Sequence, residues 1–348
     1  MILFLTLIIL MVIGVPIAAS IGLSTLFYIL LNDIPLIVIV QRMFTGTDSI
    51  VLVAIPAFIV AGAVMEVGGL ASRLARAADA LVGYLTGGFS MVTIITAMFF
   101  AAISGSNVAT TAAVGGIMIP EMKQRGYDKP YAAAVAAAGG VMGVIIPPSL
   151  SMIIYSSITG TSLAALFMAG FPVGILMAMF MLVVCYVLAK KNGYVGRTEH
   201  YSKAQILKAI KDALWALGAP VLMVGGIFSG VFTPTEAAVV AILYGIVVSI
   251  FIYKEIKVKD LYKIFLNGIV TSSKIMFIMA NAAVLGWVMA AEQIPQQVFT
   301  MMTAISSDPI ILMLIINIIL LIAGCFMETG ALLIIITPIL MPIALGMG

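Results

Sequence analysis

Hydrophobic residues in this chain come in long runs, interrupted by short polar, glycine- or proline-containing breaks. A run must reach about 20 residues to cross a bilayer as a helix, and inside the hydrocarbon only helices and closed barrels satisfy their backbone groups. The runs therefore predict an all-α polytopic membrane protein. Apolar segments cover 1–13, 17–31 and 50–67, with a turn at Gly14-Val15-Pro16 and an external loop from Asn32 to Ser49 that carries Asp33, Arg42 and Asp48. Residues 70–85 place Arg73, Arg76 and Asp79 among alanines and leucines, the pattern of an amphipathic arm helix lying on the membrane surface. Residues 88–122 are two apolar arms around Ile103-Ser104-Gly105-Ser106-Asn107-Val108. Residues 131–158 form a helix broken at Pro147-Pro148-Ser149, because proline removes a donor that the helix needs. A further apolar helix covers 162–189.

Charge gives these segments their direction. Apart from Arg42 and Lys274, the 17 Lys and Arg fall into four groups: Arg73 and Arg76, Lys123 to Lys129, Lys190 to Lys211, and Lys254 to Lys263. Basic residues in short loops mark the cytoplasmic side. With all four groups inside, every segment between neighbouring groups must leave and return. The N-terminus is then periplasmic, and 190–212 is a cytoplasmic linker. Residues 88–122 start and end inside, and irregular backbone at membrane depth must be buried in protein or line a cavity. They are read as a re-entrant hairpin, in preference to two full spans.

Composition agrees with a bilayer environment. Of 348 residues, 63% are hydrophobic and 9% charged, against about 25% charged in soluble domains. Cys185 and Cys325 lie far apart in apolar runs and suggest neither a disulfide nor a metal site. The single histidine, His200, sits in the linker and is read as solvated. Residues 1–19 lack a basic n-region and are read as a mature segment, not a cleaved signal.

The chain also resembles itself. Pro16 matches Pro234, Ala61-Gly62-Ala63-Val64-Met65 matches Leu285-Gly286-Trp287-Val288-Met289, and Ile119-Pro120 matches Met341-Pro342, in order and at nearly constant spacing. A first copy covers 1–189, with scaffold helices over 1–67. A second covers 213–348, with scaffold helices over 213–290, an arm helix over 292–308 and a hairpin over 309–345. The first copy starts outside and the second inside, so the two form an inverted-topology repeat with two re-entrant helical hairpins, as in secondary transporters.

The hairpin tips carry the polar residues. Ser104, Ser106, Asn107, Thr110 and Thr111 cluster at the first. A hairpin tip exposes carbonyls at the end of one arm, which attract a cation, and N–H groups at the start of the other, which attract an anion. Sodium takes hard oxygen ligands, and the unwound Pro147-Pro148-Ser149 stretch adds freed carbonyls at Gly143, Ile146 and Pro147. Ser106 and Asn107 are equally suited to cap the following helix, and the two roles are compatible. Thr110 and Ser149 are read as substrate-proximal. At the second tip, Phe326 to Gly330, Glu328 and Thr329 take the corresponding part; an ionisable residue inside a membrane is a functional candidate, and Glu328 could instead be an N-cap. Glu236 is read as a helix-start residue.

Ala54-Ile55-Pro56-Ala57-Phe58, Phe100 to Ser106, Gly126-Tyr127, Ile146-Pro147-Pro148-Ser149 and Phe232 to Ala238 together resemble the large membrane subunit of tripartite ATP-independent periplasmic (TRAP) transporters, over essentially the whole chain. The resemblance implies an elevator-type, sodium-coupled transporter of the bacterial inner membrane. It implies a small membrane subunit of the Q type and a periplasmic solute-binding protein as partners, membrane lipid around the chain and no nucleic acid. Substrates would be organic acids of C4-dicarboxylate, keto acid or sialic-acid type. Sodium ions are the coupling ions, with no other cofactor. The carry-over places sodium at Ser104, Ser106, Asn107 and Gly143 to Pro148, including Ile146 and Pro147, with a second site at Met327, Glu328, Thr329 and Gly330. Family members continue beyond the second hairpin, so the chain is read as C-terminally truncated.

Three alternatives are weaker. A sodium/carboxylate symporter of the wider elevator group would act without a binding protein. A channel would conduct without counterflow. An intramembrane hydrolase needs a serine nucleophile with a histidine or lysine in the membrane, or paired aspartates; the only histidine is in the linker and no aspartate pair lies within a span, and the chain is read as not an enzyme.

Overall fold

The computed structural model describes residues 2–198, 201–306, 308–325 and 327–346. His200 and Phe326 lie outside the described residues. In chain order the helices are α1 (Ile2–Val12), α2 (Ile17–Leu31), α3 (Ile37–Thr47), α4 (Ile50–Val67), α5 (Leu70–Val82), α6 (Gly88–Ser104), α7 (Asn107–Gln124), α8 (Lys129–Gly140), α9 (Met142–Ile145) and α10 (Leu150–Thr159). They continue as α11 (Leu163–Asn192), α12 (Lys203–Phe228), α13 (Pro234–Val247), α14 (Val258–Ala291), α15 (Ile294–Ile305), α16 (Pro309–Gly324) and α17 (Thr329–Gly346). A π-helical turn over Val248–Ile252 extends α13. Among the described residues, six stretches are long and apolar enough to cross a membrane: α4, Lys129–Thr159, α11, α12, Pro234–Ile252 and α14.

Some boundaries differ from the sequence reading. The supposed loop 32–49 contains α3, because Ile37, Val40 and Phe44 recur at helical spacing. The linker is shorter than 190–212. Its first residues finish α11, and a capping box starts α12 at Lys203: the Ser202 hydroxyl accepts from the Gln205 N–H, and the Gln205 side chain accepts from the Ser202 N–H. The same device starts α13, where Thr233 and Glu236 cap each other, so Glu236 is a helix-start residue.

The chain divides into two compact units. One comprises 53–153 and 162–269. Its centre is α6, buried along most of its length and packed by α5, α7, α8 and α11. Van der Waals fit holds such contacts in a bilayer, where burial from water supplies little drive between helices. The apolar face of α5, Leu70, Leu74 and Ala78, packs onto α6 and α12 rather than being left for lipid. Two charges of α5 are paired within the protein: Arg73 bonds Glu255 at 2.8 Å and lies 3.9 Å over the Tyr253 ring, and Asp79 meets Arg197 at 2.7 Å.

α6 and α7 form an antiparallel hairpin. Thr93, early in α6, donates to the Met122 sulfur, late in α7, at 3.5 Å, and Arg125 lies 3.9 Å over the Phe89 ring. Beyond the open end, Tyr127 stacks on Tyr194 at 4.5 Å, and the Tyr194 hydroxyl donates to Asp128 at 2.7 Å. Burial pushes the Tyr127 phenol up to about 12.

The other unit comprises 1–52, 154–161 and 270–348. Leu3 and Leu7 of α1, Ile21 of α2 and Leu285 and Met289 of α14 form one core cluster. Gly22 of α2 lies close under the Asn281 side chain of α14. A second cluster, Met302, Leu312, Ile316 and Ile343, ties α15 to both arms of the α16–α17 pair.

Candidate functional site

The chain turns between α6 and α7 in two residues. Gly105 closes α6 at φ 61°, a left-handed conformation natural to glycine, with its N–H on the Ala101 carbonyl. Ser106 is then extended and caps α7, its hydroxyl accepting from the Ala109 N–H at 3.4 Å. Asn107 adds a second local bond, its side-chain oxygen accepting from Val108 N–H at 2.8 Å. Behind the turn, the buried hydroxyls of Ser104 and Thr110 share a hydrogen bond of 2.7 Å.

A second irregular stretch is packed directly on this tip. α8 ends at Gly140, α9 makes one turn, and Ile146 to Ser149 run non-helically before α10. Pro147 and Pro148 are joined by a cis peptide bond. The Gly105 carbonyl accepts from the Leu150 N–H at 3.0 Å, a direct bond from the hairpin tip to the far side of the break. A side chain at Gly105 would come within 2.7 Å of the Pro148 carbonyl oxygen. One at Gly143 would collide with the Ser106 carbonyl and reach 2.8 Å from the Asn107 nitrogen. The two glycines thus let two interrupted backbones meet without side chains between them. Their carbonyls, together with the Ser104 and Thr110 hydroxyls, concentrate uncharged oxygen at one place inside the protein.

Of the sequence-predicted residues, Ser104, Ser106, Asn107, Thr110, Gly143 and Pro148 are brought together here. Pro147 is buried in the break. The Ile146 side chain turns away from the tip, into an apolar cluster with Ala102, Met142 and Ala178. Ser149 is buried, and its hydroxyl spans the break: it donates to the Val144 carbonyl at 2.8 Å and accepts from the Met152 N–H at 3.4 Å.

Met327, Glu328, Thr329 and Gly330 lie at the start of α17. Glu328 is exposed, and its carboxylate accepts from the Ala331 N–H at 3.2 Å, the geometry of an N-cap. Met327 packs against the core cluster around Leu285. A side chain at Gly330 would meet the Glu328 carboxylate at 3.0 Å and Ile154 at 3.4 Å.

Sequence reasoning missed the support behind the first site. Gly62 of α4 brings that helix beside the Ser104 backbone, and Gly170 and Gly174 of α11 receive the Ile145 carbonyl and the Ile146 side chain. The Gly-x-x-x-Gly pair at 170 and 174 was the available signal, since such pairs mark close helix approach in membranes.

A profile described as "Tripartite ATP-independent periplasmic transporter, DctM component" matches residues 4–348. The chain is 40% identical over 97% of its length to the isethionate TRAP transporter permease protein DctMQ of Oleidesulfovibrio alaskensis, and spans 53% of that protein. It is 40% identical over 88% of its length to the C4-dicarboxylate TRAP transporter large permease protein DctM of Pseudomonas aeruginosa, of which it covers 72%. It is 34% identical over 96% of its length to the sialic acid TRAP transporter large permease protein SiaM of Vibrio cholerae, of which it covers 78%. The chain therefore belongs to the tripartite ATP-independent periplasmic transporter family as a DctM component, a multi-pass transport permease rather than an enzyme.

Proposed function

We propose that this chain moves a small organic acid across the bacterial inner membrane, coupled to sodium. The observation that carries this reading is the meeting of the Ser104–Asn107 tip with the Gly143–Ser149 break. Two interrupted helices face each other there, with carbonyl and hydroxyl oxygens and no fixed charge. Such a set suits a monovalent hard cation, which has to lose its hydration shell to neutral oxygens. The N-terminus of α7 lies next to the same place, and helix N-termini favour anionic groups. Cation and organic anion would bind side by side, with Thr110 and Ser149 nearest the substrate. A second sodium site is proposed at Met327, Glu328, Thr329 and Gly330.

In this proposal both hairpins are re-entrant, the two copies are inverted relative to each other, and the N-terminus is periplasmic. Transport follows an elevator cycle. A periplasmic binding protein delivers the substrate, and a small membrane subunit completes the permease. The relatives' names, for isethionate, C4-dicarboxylate and sialic acid, all denote organic acids and support that substrate class.

Uptake of a labelled organic acid into proteoliposomes, with the partner proteins present, tests the proposal. The expected result is uptake driven by an inward sodium gradient and abolished when sodium is equal on both sides. Uptake indifferent to the gradient would sink the coupling.

A further inference from the structure

One cavity lies away from the hairpin tip and is unused by the proposed transport site. It is a groove of 560 Å³ between α8 and α11, floored by Ile94 of α6. Its lining includes Tyr131 and Val135 of α8, and Met177, Met181 and Leu188 of α11. Along α11 the lining runs from Val173 to Leu188, roughly 22 Å at 1.5 Å per residue. Half of the hydrocarbon core is about 15 Å thick, so the groove is long enough for an extended acyl chain.

Its two ends differ in charge. At the Leu188 end the stripe of lining residues continues, three positions on, to Lys191, beside Lys190 in the last turn of α11. Lys129 opens α8 two residues before Tyr131, whose hydroxyl donates to the Cys185 carbonyl at 3.5 Å and so fixes α8 against the same end. The three lysines are exposed. The ion pairs among the described residues engage Arg73, Arg125 and Arg197, not these lysines. The neighbouring carboxylate, Asp128, accepts from the Tyr194 hydroxyl at 2.7 Å. The stacked rings of Tyr127, Tyr131 and Tyr194 stand at this end, and tyrosine clusters favour the headgroup level of a bilayer.

We infer that the groove is a binding site for an anionic phospholipid, with one acyl chain along α11 and the headgroup phosphate held by Lys129 and Lys191. The inference rests on the membrane character of the chain and not on its substrate or its coupling ion. Charge complementarity selects the occupant, since an apolar trough at whose mouth lysines outnumber the one neighbouring carboxylate, Asp128, fits a lipid that carries net negative charge better than a zwitterionic one.

The test is native mass spectrometry of the purified chain in mild detergent, loaded with phosphatidylglycerol or with phosphatidylcholine of identical acyl chains. Phosphatidylglycerol should be retained about tenfold more strongly. Exchanging Lys129 and Lys191 for glutamine should erase that preference; these positions are exposed, so the fold should survive. Leu188→Trp, which fills the groove, should lower phosphatidylglycerol retention about fivefold, while Val187→Trp, on the same helix but outside the groove, should leave it unchanged. Equal retention of the two lipids, or retention unaffected by both the lysine and the Leu188 variants, overturns the inference. So does a photo-crosslinker at Leu188 that captures a protein instead of lipid.

Discussion

The two helical hairpins share their parts and differ in their surroundings. α7 and α17 are both 18 residues long, and Pro120 and Pro342 fall at the same position within them. Each follows a short turn after an apolar helix. At the first turn, a distant segment closes on the tip: Leu150 bonds the Gly105 carbonyl, and Gly143 sits against the Ser106 backbone. At the second turn, the polar group is satisfied locally, Glu328 capping its own helix at Ala331. At the first tip the buried, oxygen-rich place is made by two interrupted backbones together. At the second tip the contacts among the described residues are the Glu328 cap and the approach of Ile154 to Gly330.

The largest test of that difference is steric. Gly143→Val should drive the break away from the Ser106–Asn107 backbone, which has no flexible end to move. Overpacking of this kind costs about 1–3 kcal/mol, and sodium-driven uptake should be lost. Gly330→Ala should cost less than about 1 kcal/mol, because its neighbours are the movable ends of Glu328 and Ile154. Thermal unfolding and uptake measured on both variants check this. Equal losses would erase the distinction between the two tips.

A second test separates structure from ion binding. Ser104→Ala leaves the fully buried Thr110 hydroxyl without its 2.7 Å partner, at a cost of about 1–3 kcal/mol. The double variant Ser104→Ala with Thr110→Val removes both polar groups and should recover most of that stability. Sodium affinity, read from sodium-dependent shifts in unfolding temperature, should fall in both. If sodium still stabilises the double variant as it does the wild-type chain, these hydroxyls are packing devices only.

The composition and the apolar runs made the membrane class legible, and the polar Ser104–Asn107 break marked the first tip. The break at Pro147–Pro148 was legible for the same reason, since two prolines cannot continue a helix. What the sequence did not disclose was which glycines serve as contact surfaces. Gly62 has ordinary helical surroundings in sequence, and the spacing of Gly170 and Gly174 signals a close helix approach without saying what lies opposite. Helix boundaries also moved where local capping outweighed hydrophobic pattern, as at Ser202 and Gln205. Arg73 and Asp79 read as part of an amphipathic arm helix on the membrane surface, and both pair with residues more than a hundred positions away, which no local pattern announces.

The base of the first hairpin gives a pH-dependent handle. The Tyr127 phenol is pushed up to about 12 by burial, against about 10 in an unfolded chain. The neutral form is therefore favoured by folding, and its contribution to stability is fully present below pH 10 and lost as pH rises toward 12. Tyr127→Phe should flatten that alkaline decline, seen in unfolding temperature between pH 9 and about 12. An unchanged decline would assign it to other groups and leave the hairpin base without a role in it.

The smallest effect on stability is expected at Glu328, and it bears most directly on the comparison. Glu328→Gln keeps an oxygen able to accept from the Ala331 N–H and removes only the charge. As a cap near a helix N-terminus, that charge contributes about 0.3–1 kcal/mol. If Glu328 acts mainly as a cap, the variant should lose about that much stability and shift sodium affinity less than twofold, while Asn107→Ala at the first tip shifts it further. If Glu328 is a principal sodium ligand, the order reverses. A larger sodium shift at Glu328 than at Asn107 would mean that an exposed, locally capped carboxylate recruits the ion where a buried set of neutral oxygens does not. The first tip would then be a structural joint, and the coupling site would lie on the hairpin whose own atoms satisfy it.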